Sequence, residues 1–178
     1  AYSQLKEDER KIRAYLQSKG VQDSEMVFSA VSINKQFTTR YSSDGKELGQ
    51  DFAGYNLKQD VTVDSRDIEK VEKISREVTE LIESGIEFNS SAPSYYYTKL
   101  SELKVDLLAK ASADAKLRAQ TIAKNSGSGL GTIKKATMGV FQITGQNTNE
   151  DYSYGGAFNT SSKNKTASIT IKIDYAVK

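Results

Sequence analysis

A chain of 178 residues is long enough for one full-sized hydrophobic core, or for two small subdomains. Its 25 basic and 23 acidic side chains leave a formal charge of +2, too weak a field to recruit a polyanion, so nucleic acid is not an expected partner. The absence of cysteine and histidine removes disulfides, thiol chemistry, Ser-His-Asp and Cys-His nucleophiles and the two best zinc ligands.

No apolar stretch approaches the roughly 20 residues that a helix needs to cross a bilayer. Residues 1–10 lack the apolar core of a signal peptide, so an exported or lipid-anchored protein is expected to carry its signal upstream of Ala1. The first periodic segment, residues 5–19, spaces Leu5, Ile12 and Leu16 at helical intervals and stops at Gly20. It reads as an amphipathic helix that begins abruptly, as though preceding structure were missing.

From Val27 the period falls to two, with Val27, Val31, Ile33, Phe37 and Tyr41 on one face. Asp44-Gly45 marks a turn, and Tyr55, Leu57, Val61 and Val63 share a face of the returning run, giving a long antiparallel hairpin. Asp64 or Ser65 is positioned to cap the next helix, whose stripe of Ile68, Val71, Ile74, Val78, Leu81 and Ile82 ends at Gly85. The segments 16–21 and 81–86 repeat one arrangement, a helix end followed by glycine and a β-branched residue.

A short strand is expected within 86–97, at a sheet edge because Pro93 cannot donate to a ladder. A long helix over 99–124, about 40 Å at 1.5 Å per residue, carries Leu100, Leu103, Leu107, Ala111, Ala115, Ala119 and Ile122 on one side. After Gly127, Gly129 and Gly131 comes a strand over 133–143, then a polar loop over 145–163. The last strand alternates most strictly, with Ala167, Ile169, Ile171, Ile173, Tyr175 and Val177 facing one way. The expected fold class is α+β: long antiparallel β-hairpins in a curved sheet packed against two or three helices, the odd-numbered faces making the core.

Residues 111–123, Ala-Ser-Ala-Asp-Ala-Lys-Leu-Arg-Ala-Gln-Thr-Ile-Ala, followed by Leu130-Gly131, resemble the signature helix of the SIMPL-domain family. The strand-turn-strand before the central helix, the pair Gly54-Tyr55 and the exit Gly85-Ile86 follow the family's order, so the likeness covers most of the chain as a single SIMPL-like domain, 1–178. Two departures stand out: the family's opening strand is absent, and 127–129 is richer in glycine than usual. The resemblance implies an exported periplasmic or outer-membrane-associated bacterial protein, in some members linked to stress resistance. It also implies self-assembly, since one group forms a large ring-like oligomer, whereas an animal member is named for association with a signalling kinase. It implies no enzyme activity, cofactor or metal.

The candidate site residues each have a plainer role to weigh. Asp114 and Arg118 stand four apart, acid first, as a subunit contact or as a helix-surface ion pair. Ala111, Ala115, Ala119 and Ala123 suit a close helix crossing between subunits, or packing of the helix on its own sheet. Leu130 and Gly131 complete the family motif. Tyr95, Tyr96, Tyr97, Tyr152 and Tyr154 are amphipathic rings suited to an interface or to saccharide stacking, or are ordinary surface tyrosines. The leading expectation is a non-catalytic cell-envelope protein that forms homo-oligomers or acts as a scaffold. The alternatives are a monomeric module binding an envelope peptide or glycan in a tyrosine-lined groove, and a hydrolase using carboxylates alone.

Overall fold

Glycine ends three of the helices in the same way, and those ends set the frame of the molecule. Gly20, Gly85 and Gly127 have φ of +86°, +78° and +73°. In each case the next residue's N–H turns back to a carbonyl five positions earlier: Val21 to Leu16, Ile86 to Leu81 and Ser128 to Ala123, at 3.0, 3.3 and 2.9 Å. In the first two, both members of the pair are apolar and buried, so each helix end is also pinned by packing. The repeat seen in the sequence at 16–21 and 81–86 is therefore one backbone motif used twice.

The computed structural model describes residues 1–149 and 155–178. The chain forms two compact units, Ala1–Pro93 and Ser94–Lys178. The first unit contains α1 (Tyr2–Ser18), β1 (Met26–Phe28), β2 (Ser32–Tyr41), β3 (Glu47–Lys58), β4 (Val61–Val63), α2 (Ile68–Glu77) and α3 (Glu80–Glu83). The second contains α4 (Leu100–Asn125), β5 (Leu130–Gly145) and β6 (Lys165–Val177). The class is α+β, and the described strands form three two-stranded antiparallel ladders, β1 with β4, β2 with β3 and β5 with β6.

The core of the first unit gathers Leu16 of α1, Val21, Met26 of β1 and Ile74 of α2, with Ile12, Tyr15, Phe28, Val61 and Val63 around them. Here the expected odd-numbered core face fails. Met26 is buried whereas Val27 is 64% exposed, and Ile33, Phe37 and Tyr41 are 61%, 52% and 64% exposed. The cause is a break in the ribbon at residues 29–31, where Ser29 bonds to Asp60 through both its N–H and its hydroxyl. The alternation on the far side of that break is not continuous with β1.

The second helical stripe is also interrupted. Val78 and Thr79 remain in the helical region, but Leu81 and Ile82 bond to the carbonyls three residues back, a tight turn that separates α2 from α3. Ile74 and Leu81 are buried, while Ile68 and Ile82 stand 42% and 59% exposed. The cap is Asp67, whose carboxylate accepts from the Lys70 N–H at 3.0 Å, rather than Asp64 or Ser65. Ser65 donates instead to Glu25 and accepts from the Asp67 N–H.

Glu25 ties the 3₁₀ turn Asp23–Glu25 to α2. It accepts from the Gln22 N–H at 2.9 Å and from Lys70 Nζ at 2.9 and 2.8 Å, as well as from Ser65. The Gln22 amide first, then Lys70 and Ser65, hold its carboxyl down from an ordinary 4.5 to about 2. A carboxyl lowered in the folded state stabilises the fold above the unfolded value, and this contribution is lost as pH falls from about 4.5 through about 2. In acid titrations followed by circular dichroism, Glu25→Gln is therefore expected to flatten the loss of stability between those limits; identical slopes for both proteins would contradict this role.

No strand forms within 86–97. After Ile86 the chain runs irregularly through Asn89-Ser90-Ser91 and Pro93, and Tyr95 donates to the Thr160 carbonyl at 2.7 Å. Serine and asparagine compete for backbone groups locally and proline has no N–H, so an extended ladder is disfavoured. In the second unit α4 packs mainly on β6 and less on β5. Its less exposed side carries Leu103, Leu107, Ala111, Ala115, Ala119 and buried Ala123, while Ile122 is 68% exposed. The stripe thus ends at Ala123 rather than Ile122. Phe141 and Ile143 of β5 are buried, and Ile143 exchanges backbone bonds with Ala157 and Asn159, which run parallel to it.

Candidate functional site

The β2–β3 hairpin is a ribbon with two unlike faces. Directly paired residues share a face, so one side carries Ile33 with Leu57, Lys35 with Tyr55, Phe37 with Phe52, Thr39 with Gln50 and Tyr41 with Glu47. The other side carries Ser32 with Lys58, Asn34 with Asn56, Gln36 with Gly54, Thr38 with Asp51 and Arg40 with Gly49. Its paired residues are polar or glycine, with Arg40 Nε 2.8 Å from the Asp51 carboxylate.

A β-bulge builds the aromatic face. Phe52 and Tyr55 are three residues apart and would fall on opposite sides of a regular strand. The register shifts between Gln36 and Phe37, and Gly54 at φ +145° absorbs the extra residue, a conformation that β-carbon-bearing residues rarely adopt. The rings then meet edge to face, Phe37 with Phe52 at 6.0 Å and Phe52 with Tyr55 at 5.1 Å between centroids. Phe37, Phe52 and Tyr55 are 52%, 52% and 53% exposed, so this cluster is presented to solvent.

The second unit offers a different surface. Two apolar recesses of about 460 and 420 Å³ lie along α4 and meet at Leu108. Their walls are chiefly aliphatic, from Met138, Val140 and Ile169 at one end and Ile133, Ile171 and Ile173 at the other. Lys104 stands at one recess, its ammonium 5.1 Å from the Phe141 ring centroid, and Lys116 at the other. The tyrosine in these walls is Tyr175.

The sequence-predicted residues do not converge on one site. Asp114 and Arg118 form an ion pair, Oδ2 to Nε 2.9 Å, with side chains 56% and 77% exposed, the kind of pair that contributes little stability. Ala111, Ala115, Ala119 and Ala123 belong to the less exposed side of α4, as packing on its own sheet requires. Leu130 and Gly131 open β5, opposite Val177 and Ala176. Tyr95 is half-buried, Tyr96 and Tyr97 are 75% and 47% exposed, and none of the three lines a recess. Tyr152 and Tyr154 lie outside the described residues. The composition-based reading missed Phe52, because a period-two count cannot anticipate a bulge. The signal available for it was Gly54 inside an otherwise regular strand.

Glu7, Glu25 and Glu77 are held below the ordinary carboxylate range, chiefly by hydrogen bonds from Arg10, the Gln22 amide and Lys19 respectively. Among the described residues no three carboxylates cluster to hold a metal, and no helix is long and apolar enough to cross a membrane.

These features define an α+β protein whose distinctive surfaces are an open aromatic ribbon and an aliphatic recess. The profile of one family, SIMPL, described as a protein of unknown function (DUF541), matches residues 1–177, and the chain belongs to that family. No curated protein matches it.

Proposed function

We propose that the chain is a non-catalytic protein of the cell envelope, periplasmic or outer-membrane-associated, that assembles into homo-oligomers through the β2–β3 arm and serves as a scaffold. The observation that carries this reading is the solvent-facing aromatic cluster Phe37, Phe52 and Tyr55 on a ribbon whose opposite ladder positions are polar or glycine. A two-stranded ribbon alone is marginally stable in water, and a contiguous exposed apolar face on such an element favours association. The family resemblance supports the envelope location.

Sedimentation of the wild-type chain and of Phe37→Asp/Phe52→Asp tests the assembly. Aromatic anchors at an interface typically contribute about 1–2 kcal/mol or more each, so the double variant is expected to weaken association by about 100-fold and to sediment at the 19.6 kDa monomer mass. A wild-type chain that sediments at that mass at its highest soluble concentration defeats the proposal. Circular dichroism of the variant distinguishes loss of association from loss of fold.

A second reading, a module that binds a peptide, is favoured by the recesses along α4. Their largely apolar walls, with the rings of Phe141 and Phe158 at one recess and Tyr175 at the other, suit an apolar peptide segment.

A further inference from the structure

The apolar face of the arm carries one cation and one anion, placed at opposite ends. Lys35 sits on the base half of β2 opposite Tyr55, and Glu47 sits beside the turn opposite Tyr41. Both are exposed, and neither has an ion-pair or hydrogen-bond partner among the described residues. The other ladder positions on this face, Ile33, Phe37, Thr39, Tyr41, Gln50, Phe52, Tyr55 and Leu57, are uncharged. The levels of Lys35 and Glu47 are six residue steps apart along β2, about 20 Å at 3.3 Å per residue.

We propose that two copies of this arm pack aromatic face to aromatic face, antiparallel, about a two-fold axis near Thr38 and Thr39, so that Lys35 of each copy meets Glu47 of the other. This rests on the reading that the arm is where the chain self-associates, and it specifies the partner and the register. A two-fold interface must be complementary to itself, residue by residue. With the ribbons antiparallel, the base of one arm lies over the tip of the other, and both lone charges are neutralised at once. With the ribbons parallel, the two Lys35 side chains would stand at one level and the two Glu47 side chains at another, and the like charges would oppose the contact.

The same charges argue against the other apolar surface as the occupant. The recess along α4 is flanked by Lys104 and Lys116, so an arm entering it would bring Lys35 toward further cations. In the arm-to-arm arrangement the polar face, with Arg40 already paired to Asp51, stays in water. The aromatic rings near the axis are covered by Thr39 and Gln50 of the second copy and by one another.

The test is a charge swap on the full chain, read as the dimerisation constant by sedimentation equilibrium at low salt. Lys35→Glu and Glu47→Lys are each expected to weaken association about tenfold, because each leaves two like-charged contacts per dimer, and the combined variant is expected to return to within about threefold of wild type. Both positions are exposed, so the variants are expected to keep the wild-type circular dichroism. A combined variant as weak as, or weaker than, the single ones overturns the antiparallel register. If the Phe37→Asp/Phe52→Asp variant nonetheless dissociates, self-association through the arm stands and only the register fails. If the wild-type chain shows no association at all, the underlying reading fails instead.

Discussion

Leu16→Ala is expected to destabilise the first unit by about 2–5 kcal/mol, the range for leucine truncation in a packed core. Leu16 is 4% exposed and is packed with Val21, Met26 and Ile74 from three other segments. Its carbonyl also accepts the Val21 N–H at 3.0 Å, so its side chain holds the helix end at the point where the chain turns into the 3₁₀ segment. Alanine keeps the backbone bond and has a slightly better helix propensity, which recovers only a few tenths of a kcal/mol. The remainder is lost apolar burial and a cavity that few neighbours can fill, since this core is small. Urea denaturation checks the figure, with Val27→Ala as the control: Val27 is 64% exposed and its truncation is expected to change stability by less than about 0.5 kcal/mol. Equal shifts for the two variants would contradict the placement of the core.

The second large effect is expected at Gly131. A β-carbon there would lie 2.8 Å from the Ala176 β-carbon and 2.9 Å from the Ala176 carbonyl oxygen, closer than real contacts come. The obstruction is backbone of the paired strand, not a side chain that could swing away, so the start of β5 and the end of β6 must part to admit it. Gly131→Ala is expected to cost about 1–3 kcal/mol, as overpacking does. Gly129→Ala provides the comparison, because its β-carbon would meet Lys178 at 3.4 Å, near ordinary contact. Thermal melts should separate the two variants, and a Gly131→Ala protein as stable as Gly129→Ala would show that the strand ends are not closely paired. This also gives the Leu130-Gly131 part of the family motif a structural meaning, close strand approach.

Helices were the most legible part of the sequence. The spacing of Leu5, Ile12 and Leu16, the stop at Gly20 and the 99–124 pattern all correspond to elements within a residue or a few. The reason is that 3.6-residue periodicity and a left-handed glycine are both local signals. Strand pairing was also legible, because Asp44-Gly45 fixes the turn, and the last strand's face of Ile169, Ile171, Ile173 and Tyr175 is the half-buried one. What period-two counting could not carry was phase across irregularities. The break at 29–31 put Met26 rather than Val27 inside, and the bulge beside Gly54 moved Phe52 onto the face of Tyr55.

The aromatic ribbon was misread for a deeper reason. An amphipathic strand face has the same sequence pattern whether its own chain covers it or not, so Ile33, Phe37 and Tyr41 read as core although they are exposed. The candidate tyrosines illustrate the reverse difficulty. Ring chemistry marked Tyr95, Tyr96 and Tyr97 as candidates, but nothing local in the sequence says that Pro93 and the serines before them leave that segment out of any ladder.

The most direct test of the account is the solution mass of the wild-type chain by light scattering across a dilution series. The account predicts a mass above 19.6 kDa that falls toward it on dilution, as expected for association through an exposed arm. A constant mass of one chain at every concentration would contradict it.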